Sequence, residues 1–129
     1  MAPMSTLTPI TIRGIRIYGS NPIKGYLALT NKTASKFLKE KKDFILLKKM
    51  TEPEDVSLMR EAAAVCTLEG GPGCHAAIVC STMGVPCITN LAQLKFKGKN
   101  SLIYQRTLIE EGSFVSIKDS NVTLEGHNV

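Results

Sequence analysis

"TLEGGPGCHAAIVC" occupies residues 67–80. Gly70 and Gly71 lead through Pro72, Gly73 and Cys74 to His75, and an apolar stretch begins at once. Glycines reach backbone angles that other residues avoid, and they let N–H groups turn toward a ligand. The apolar stretch reads as a short helix over about residues 75–83, with Gly84 as its C-terminal cap and Pro86 beyond it. The first N–H groups of a helix have no partner inside it, and with the helix dipole they form an anion site. The segment after Pro72 is therefore expected to hold a phosphate, with His75 in the first helical turn. The positive dipole end favours a neutral ring there, and a neutral imidazole nitrogen is a nucleophile. A phosphoryl group accepted by His75 would lie against the same N–H groups. Cys74, Thr67 and the backbone around Gly73 add hydrogen-bonding groups.

Other readings of these residues stay open. A single histidine can be purely structural. Cys66, Cys74, Cys80 and Cys87 lie near His75 and raise the question of a metal, but no C-x-x-C pair is present and the spacing matches no common zinc pattern. Cys74 at a helix start is a candidate reactive thiol. His127, close to the end of the chain, reads as solvated.

Working outward, "TEPEDVSLMREAAAVCTLEGG" begins as a helix with Thr51 as N-cap, Glu54 three residues on and Pro53 in the first turn. Val56, Met59, Ala62 and Ala63 supply its apolar side. "AVCTL" is a short buried strand that feeds the glycine turn. "DFILLKK" is an apolar strand over residues 44–47, and "NKTASKFLKEKK" before it is a short helix. "ITIRGIRIYGSN", residues 10–21, alternates apolar and polar and changes phase at Gly14, which predicts a bulge or bend. A second strand is expected over residues 26–29, and "VPCITN" is another. The chain ends in turns and strands, with a hairpin of residues 114–117 and 122–124 about "KDSN". This is one mixed α/β domain over residues 1–129, with residues 1–9 a loose extension.

Bulk properties limit the function classes. The 129 residues are 43% hydrophobic, enough for a real core. No apolar run approaches the roughly 18 to 20 residues of a membrane span, and the start lacks a signal-peptide layout. The chain reads as cytoplasmic, with reduced cysteines. The net charge of +5 suits an acidic or phosphorylated partner. Much of the excess lies in "KFLKEKKDFILLKK", residues 36–49, a run that reads as a solvated helix end and loop. Neither nucleic acid nor membrane is an expected partner.

Residues 65–90, "VCTLEGGPGCHAAIVCSTMGVPCITN", resemble the phosphohistidine motif of the mobile domain of phosphoenolpyruvate (PEP)-utilising enzymes, the pyruvate phosphate dikinase and phosphoenolpyruvate synthase group. The family pattern is close to T-x-x-G-G-x-x-[ST/C]-H-A-A-[IV]-[VI]-A-R-x-x-G-x-P-[CA]-[VI]. Thr67, Gly70, Gly71, Cys74, His75, Ala76, Ala77, Gly84, Pro86 and Cys87 fall in register with it. "DFILLKKMTEPEDVSLMREAAAVCT", "EEGSFVSIKDSNVTLEG" and, more weakly, "GSNPIKGYLAL" extend the resemblance over about residues 14–126.

The resemblance implies a swivelling β/β/α domain with a sheet core and short helices. It implies that His75 is phosphorylated and carries the group between two active sites, and that Thr67, Gly70, Gly71, Gly73 and Cys74 shape its pocket. One site is an ATP-grasp nucleotide-binding domain and the other a barrel handling PEP and pyruvate, so Mg2+ with ATP or PEP is expected on those partners and no cofactor on this domain. Alone, the chain is a phosphotransferase component and not a complete enzyme. It is expected to be a free-standing carrier or a cut-out of something larger, served in trans. Two departures stand out. The family Arg is taken to fall at Cys80, and Pro72-Gly73 replaces a Met-Thr or Arg-Thr pair. They leave an alternative: a swivel domain that has lost transfer and serves as a binding or regulatory module.

Overall fold

A computed structural model describes residues 7–128 of the chain. In chain order the strands and helices are β1 (Leu7–Arg13), β2 (Ile15–Tyr18), β3 (Ile23–Ala28), α1 (Asn31–Lys39), β4 (Phe44–Lys48), a single 3-10 turn (Pro53–Asp55), α2 (Val56–Glu61), β5 (Ala64–Thr67), α3 (His75–Met83), β6 (Cys87–Thr89), β7 (Lys95–Lys97), β8 (Ser101–Tyr104), β9 (Thr107–Glu110), β10 (Phe114–Lys118) and β11 (Asn121–Asn128). The strands join in one mixed sheet, ordered β2-β6-β5-β4-β3-β10-β11-β9-β8-β7, with β1 paired to β11. Strands β3, β4, β5 and β6 run parallel. Among the described residues the rest of the pairing is antiparallel.

Strand β4 explains the layering. A strand buried on both faces reads as an uninterrupted apolar run, and "FILL" is such a run. Ile45 and Leu47 join Leu27, Cys66 and Ile88 in a core shared with Leu102, Ile109, Val115 and Leu124 of the antiparallel strands. Phe44 and Leu46 point the other way, into a second core with Ala34, Phe37, Met59, Ala76 and Cys80 of the helices. The parallel strands thus lie between a layer of strands and a layer of helices. Each fully buried Leu, Ile or Phe contributes about 1.5–3 kcal/mol relative to exposure. Among the described residues the chain forms a mixed sheet of many strands with three short helices, consistent with a small α/β domain.

Gly14 parts β1 from β2, as its change of phase predicts. A Cβ there would stand 2.6 Å from both Ile88 Cγ2 and the Thr89 carbonyl oxygen, so the crossing of β6 requires glycine. The start of α1 is fixed by Thr30, whose hydroxyl accepts the Thr33 N–H at 3.2 Å. The Glu111 carboxylate reaches across from the antiparallel layer to the same point. It accepts the N–H groups of Leu29 (2.7 Å) and Thr30 (2.8 Å), with the Asn100 amide on its other oxygen at 2.7 Å.

Three expectations need correction. Strand β1 takes in Leu7, Thr8 and Pro9, which pair with His127, Gly126 and Glu125 and are not a loose extension; residues 1–6 lie outside the described residues. His127 is half-buried on β11 between β1 and β9, not solvated, because both neighbouring strands cover it. Thr51 is not a helix N-cap. The helical segment begins one residue later, where the Glu52 N–H donates to the Asp55 carboxylate at 2.8 Å.

Candidate functional site

Parallel strands β4 and β5 end side by side, and the site is built on the segments that leave them. The Leu68 and Glu69 N–H groups donate to the Lys48 and Lys49 carbonyls, both at 3.0 Å, which carries the ladder past β5. At Gly70 the chain turns with φ +104°, a left-handed conformation in which a side chain is strained. A Cβ at Gly70 would also stand 2.7 Å from Cys74 Sγ. The Cys74 N–H closes the turn on the Gly71 carbonyl at 3.1 Å, and α3 starts at His75.

Cys74 is the N-cap of α3, and its side chain makes no capping bond. Its carbonyl accepts the Ile78 N–H at 3.0 Å, so the N–H groups of His75, Ala76 and Ala77 precede the first donor of the helix ladder. At the far end Gly84 adopts φ +74° and its N–H returns to the Cys80 carbonyl. The helix has the bounds and the cap that the sequence predicts.

His75 is half-buried. Its Nδ1 lies 2.8 Å from the Thr51 hydroxyl, a buried group 24 residues away. No hydrogen bond engages Nε2 among the described residues. The residue that follows Thr51 is fixed by Asp55. The Asp55 carboxylate accepts the Glu52 N–H, accepts the Asn31 side-chain amide at 2.9 Å and faces Lys48 Nζ at 3.7 Å. The ring is thereby set by two parallel-strand connections that a one-residue shift in the cap at Thr51 brings into reach.

A cavity of about 150 Å³ opens here, lined by Met50, Thr51, Thr67, Glu69, Gly70, Cys74, His75 and Ala76. Of the expected site residues, Thr67, Gly70, Cys74 and His75 meet around it. Gly71 and Gly73 lie in the turn and do not line it; a Cβ at either would meet nothing within 4 Å. The Thr67 hydroxyl donates to the Glu69 carbonyl at 2.6 Å, which tightens the turn. Thr51, Met50, Glu69 and Ala76 are additions. The sequence draws attention to Thr51 only as a helix cap.

The Arg assignment also needs correction. Cys80 is wholly buried against the sheet, where a guanidinium has no room or water. Counted from His75, the family pattern places Ala at Cys80 and Arg at Ser81, and Ser81 is exposed. The departure from the family is therefore at Ser81. Cys66, Cys80 and Cys87 are buried free thiols, and Cys74 is partly exposed. Burial pushes the Cys66 thiol up to about 12. A hydrogen bond with Cys80, and then burial, hold the Cys87 thiol above the ordinary range. These three thiols are packing groups.

The family described as "PEP-utilising enzyme, mobile domain" matches residues 40–128. The pyruvate, phosphate dikinase of Rhizobium meliloti is 29% identical over 98 residues, 75% of this chain and 11% of that protein. A probable phosphoenolpyruvate synthase of Methanothermobacter thermautotrophicus is 33% identical over 63% of this chain and 13% of its own length. The phosphoenolpyruvate synthase of Pyrococcus furiosus is 41% identical over 54% of this chain and 8% of its own. The chain thus spans about a tenth of the length of these relatives.

Proposed function

The chain belongs to the family of PEP-utilising enzyme mobile domains, and from that premise we propose that it is a phosphoryl carrier, phosphorylated on His75. The observation that carries the proposal is the orientation of the ring: Nδ1 is engaged by Thr51 at 2.8 Å and Nε2 is left for chemistry. With Nδ1–H donating to the Thr51 oxygen, the Nε2 lone pair attacks the donor phosphorus. An N–P bond forms as the P–O bond to the leaving group breaks. The Thr51 oxygen steadies the positive charge that develops on the ring. The N–H groups at the start of α3 face the negative oxygens of the product. In the second half-reaction an acceptor oxygen takes the phosphorus, the N–P bond breaks and the neutral ring returns.

Thr67, Gly70, Gly71, Gly73 and Cys74 shape the turn that presents the ring. The chain spans about a tenth of the length of its relatives, and on this reading the donor and final acceptor come from partners: an ATP-grasp nucleotide site and a PEP/pyruvate site, in trans or on a longer chain, with the Mg2+ that accompanies ATP or PEP bound there. The domain swivels between them. On this reading it works in the cytoplasm, without nucleic acid or membrane. A second reading is a transfer-inactive binding or regulatory module. It is favoured by exposed Ser81 in place of Arg, and by Pro72, which has no N–H to offer.

The test is intact mass at mildly alkaline pH after incubation with host-cell extract plus PEP, or plus ATP. One added phosphoryl group on the wild type, absent from His75→Ala and lost in acid, establishes the carrier. No gain, in an extract that phosphorylates a known carrier, overturns the carrier reading and favours the second.

A further inference from the structure

The large apolar side chains left most open among the described residues are Ile78, 57% exposed, and Met50, 54% exposed. A single exposed apolar residue is ordinary. These two come from separate elements and flank one ring. Met50, in the connection after β4, lines the His75 cavity. Ile78 stands three residues along α3 from His75, and helix residues three or four apart share a face.

That face is uncharged. His75, Ile78, Val79 and Thr82 form its row, and no Asp, Glu, Lys or Arg occurs in α3. The Thr82 hydroxyl donates to the Ile78 carbonyl at 2.9 Å, so the polar group of the row turns back onto its own helix. Exposed Ser81, where the family pattern has Arg, is neutral as well, and so are exposed Pro72 and Gly73 in the turn before the helix. The charges beside the cavity are paired with each other: Lys49 is 3.5 Å from Glu69, and Lys48 is 3.7 Å from Asp55. The cavity, at about 150 Å³, is smaller than the about 300–1,000 Å³ of small-molecule sites. A donor molecule larger than its phosphoryl group is therefore held outside this chain, and whatever holds it must close over the surface around His75.

We propose that Met50 and Ile78 form a docking collar for His75, and that its occupant is the apolar, uncharged rim of the protein site that donates the phosphoryl group. This rests on the carrier reading. Closure of the rim over the two side chains buries their apolar surface and shuts water out while the N–P bond forms. The collar also selects its partner. A charged group pressed onto Ile78 would lose its water with no opposite charge to meet it.

The test compares a donor that must dock with one that need not, on the full chain. Host-cell extract with PEP or ATP supplies the first. Potassium phosphoramidate supplies the second: Nε2 attacks its phosphorus, the N–P bond to the reagent nitrogen breaks and ammonia leaves. Intact mass at mildly alkaline pH gives both rates. Ile78→Glu and Ile78→Lys should each slow the extract-driven rate by about tenfold, the loss of one apolar anchor, and Met50→Ser should slow it less. All three should match the wild type with phosphoramidate and in melting temperature. The proposal is overturned if Ile78→Glu keeps the extract-driven rate, or loses the phosphoramidate rate as well. It is overturned if the Glu and Lys variants move the extract-driven rate in opposite directions, which would mean a charged rim. A wild type that accepts from phosphoramidate and not from the extract has no docking donor, which also sinks the proposal. A wild type that accepts from neither sinks the carrier reading with it.

Discussion

The two halves of the sheet are joined very differently. In the antiparallel half, β8 meets β9 through Gln105 and Arg106, and β10 meets β11 through Asp119 and Ser120. Gln105 and Asp119 both take φ 55°, as tight hairpin turns demand. Two-residue turns have no length to spare for a site. In the parallel half each strand must cross back over the sheet before the next begins, so each connection is long. Thr51 lies in the connection after β4, and Gly70, Cys74 and His75 lie in the connection after β5. The candidate chemistry is at the carboxyl ends of parallel strands, where open α/β sheets place their ligands. The antiparallel half contributes core, and one carboxylate that reaches over to hold α1.

That division can be broken by mutation. His75→Ala should abolish phosphoryl acceptance while the melting temperature stays within a degree or so of the wild type, since a half-buried ring at a helix start carries little of the core; intact mass and thermal unfolding measure both. Gly70→Ala comes next. A left-handed residue and a 2.7 Å clash with Cys74 Sγ should cost about 2–4 kcal/mol and misplace the ring, which chemical denaturation and the phosphorylation rate would record together. Thr51→Val keeps the shape and removes the partner of Nδ1; about a tenfold slower phosphorylation is expected, equivalent to about 1.4 kcal/mol, with the fold intact.

The antiparallel contribution is read through pH. Burial would by itself raise the Glu111 carboxyl, but hydrogen bonds from Asn100, Leu29, Thr33 and Thr30 outweigh it and hold it below the usual carboxylate range. A depressed folded value adds stability above the unfolded value, and that stability is lost as pH falls through the folded one. Denaturation midpoints of the wild type should therefore drop on acidification below the ordinary carboxylate range, and Glu111→Gln should show less of that drop from a lower start at neutral pH. An unchanged slope would separate the clamp from Glu111. The smallest effect belongs to Gly73→Ala, where a Cβ meets nothing within 4 Å. It should shift stability by less than about 0.5 kcal/mol.

Local signals make part of this legible. The α3 boundaries follow from an apolar run that a left-handed glycine ends, and the bend at Gly14 follows from a change of alternation. Both are properties of adjacent residues. The His75–Thr51 bond joins two connections 24 residues apart, and it exists because the cap is Glu52 with Asp55 instead of Thr51 with Glu54. A shift of one residue is below what capping patterns resolve. Strands β7, β8 and β9 are three or four residues long and draw their stability from neighbours across the sheet, so periodicity does not separate them from turns. The Arg position is legible in the motif itself: counted from His75 the pattern puts Ala at Cys80 and Arg at Ser81, and the burial of Cys80 and the exposure of Ser81 agree with that count.

The burial of three cysteines has a practical corollary. Thiol reagents attack accessible thiolates, and only Cys74 is open among the four. A native fluorophore or spin-label handle thus sits one residue before His75 without any engineering. Its alkylation rate would report, in real time, whenever anything covers the mouth of the cavity.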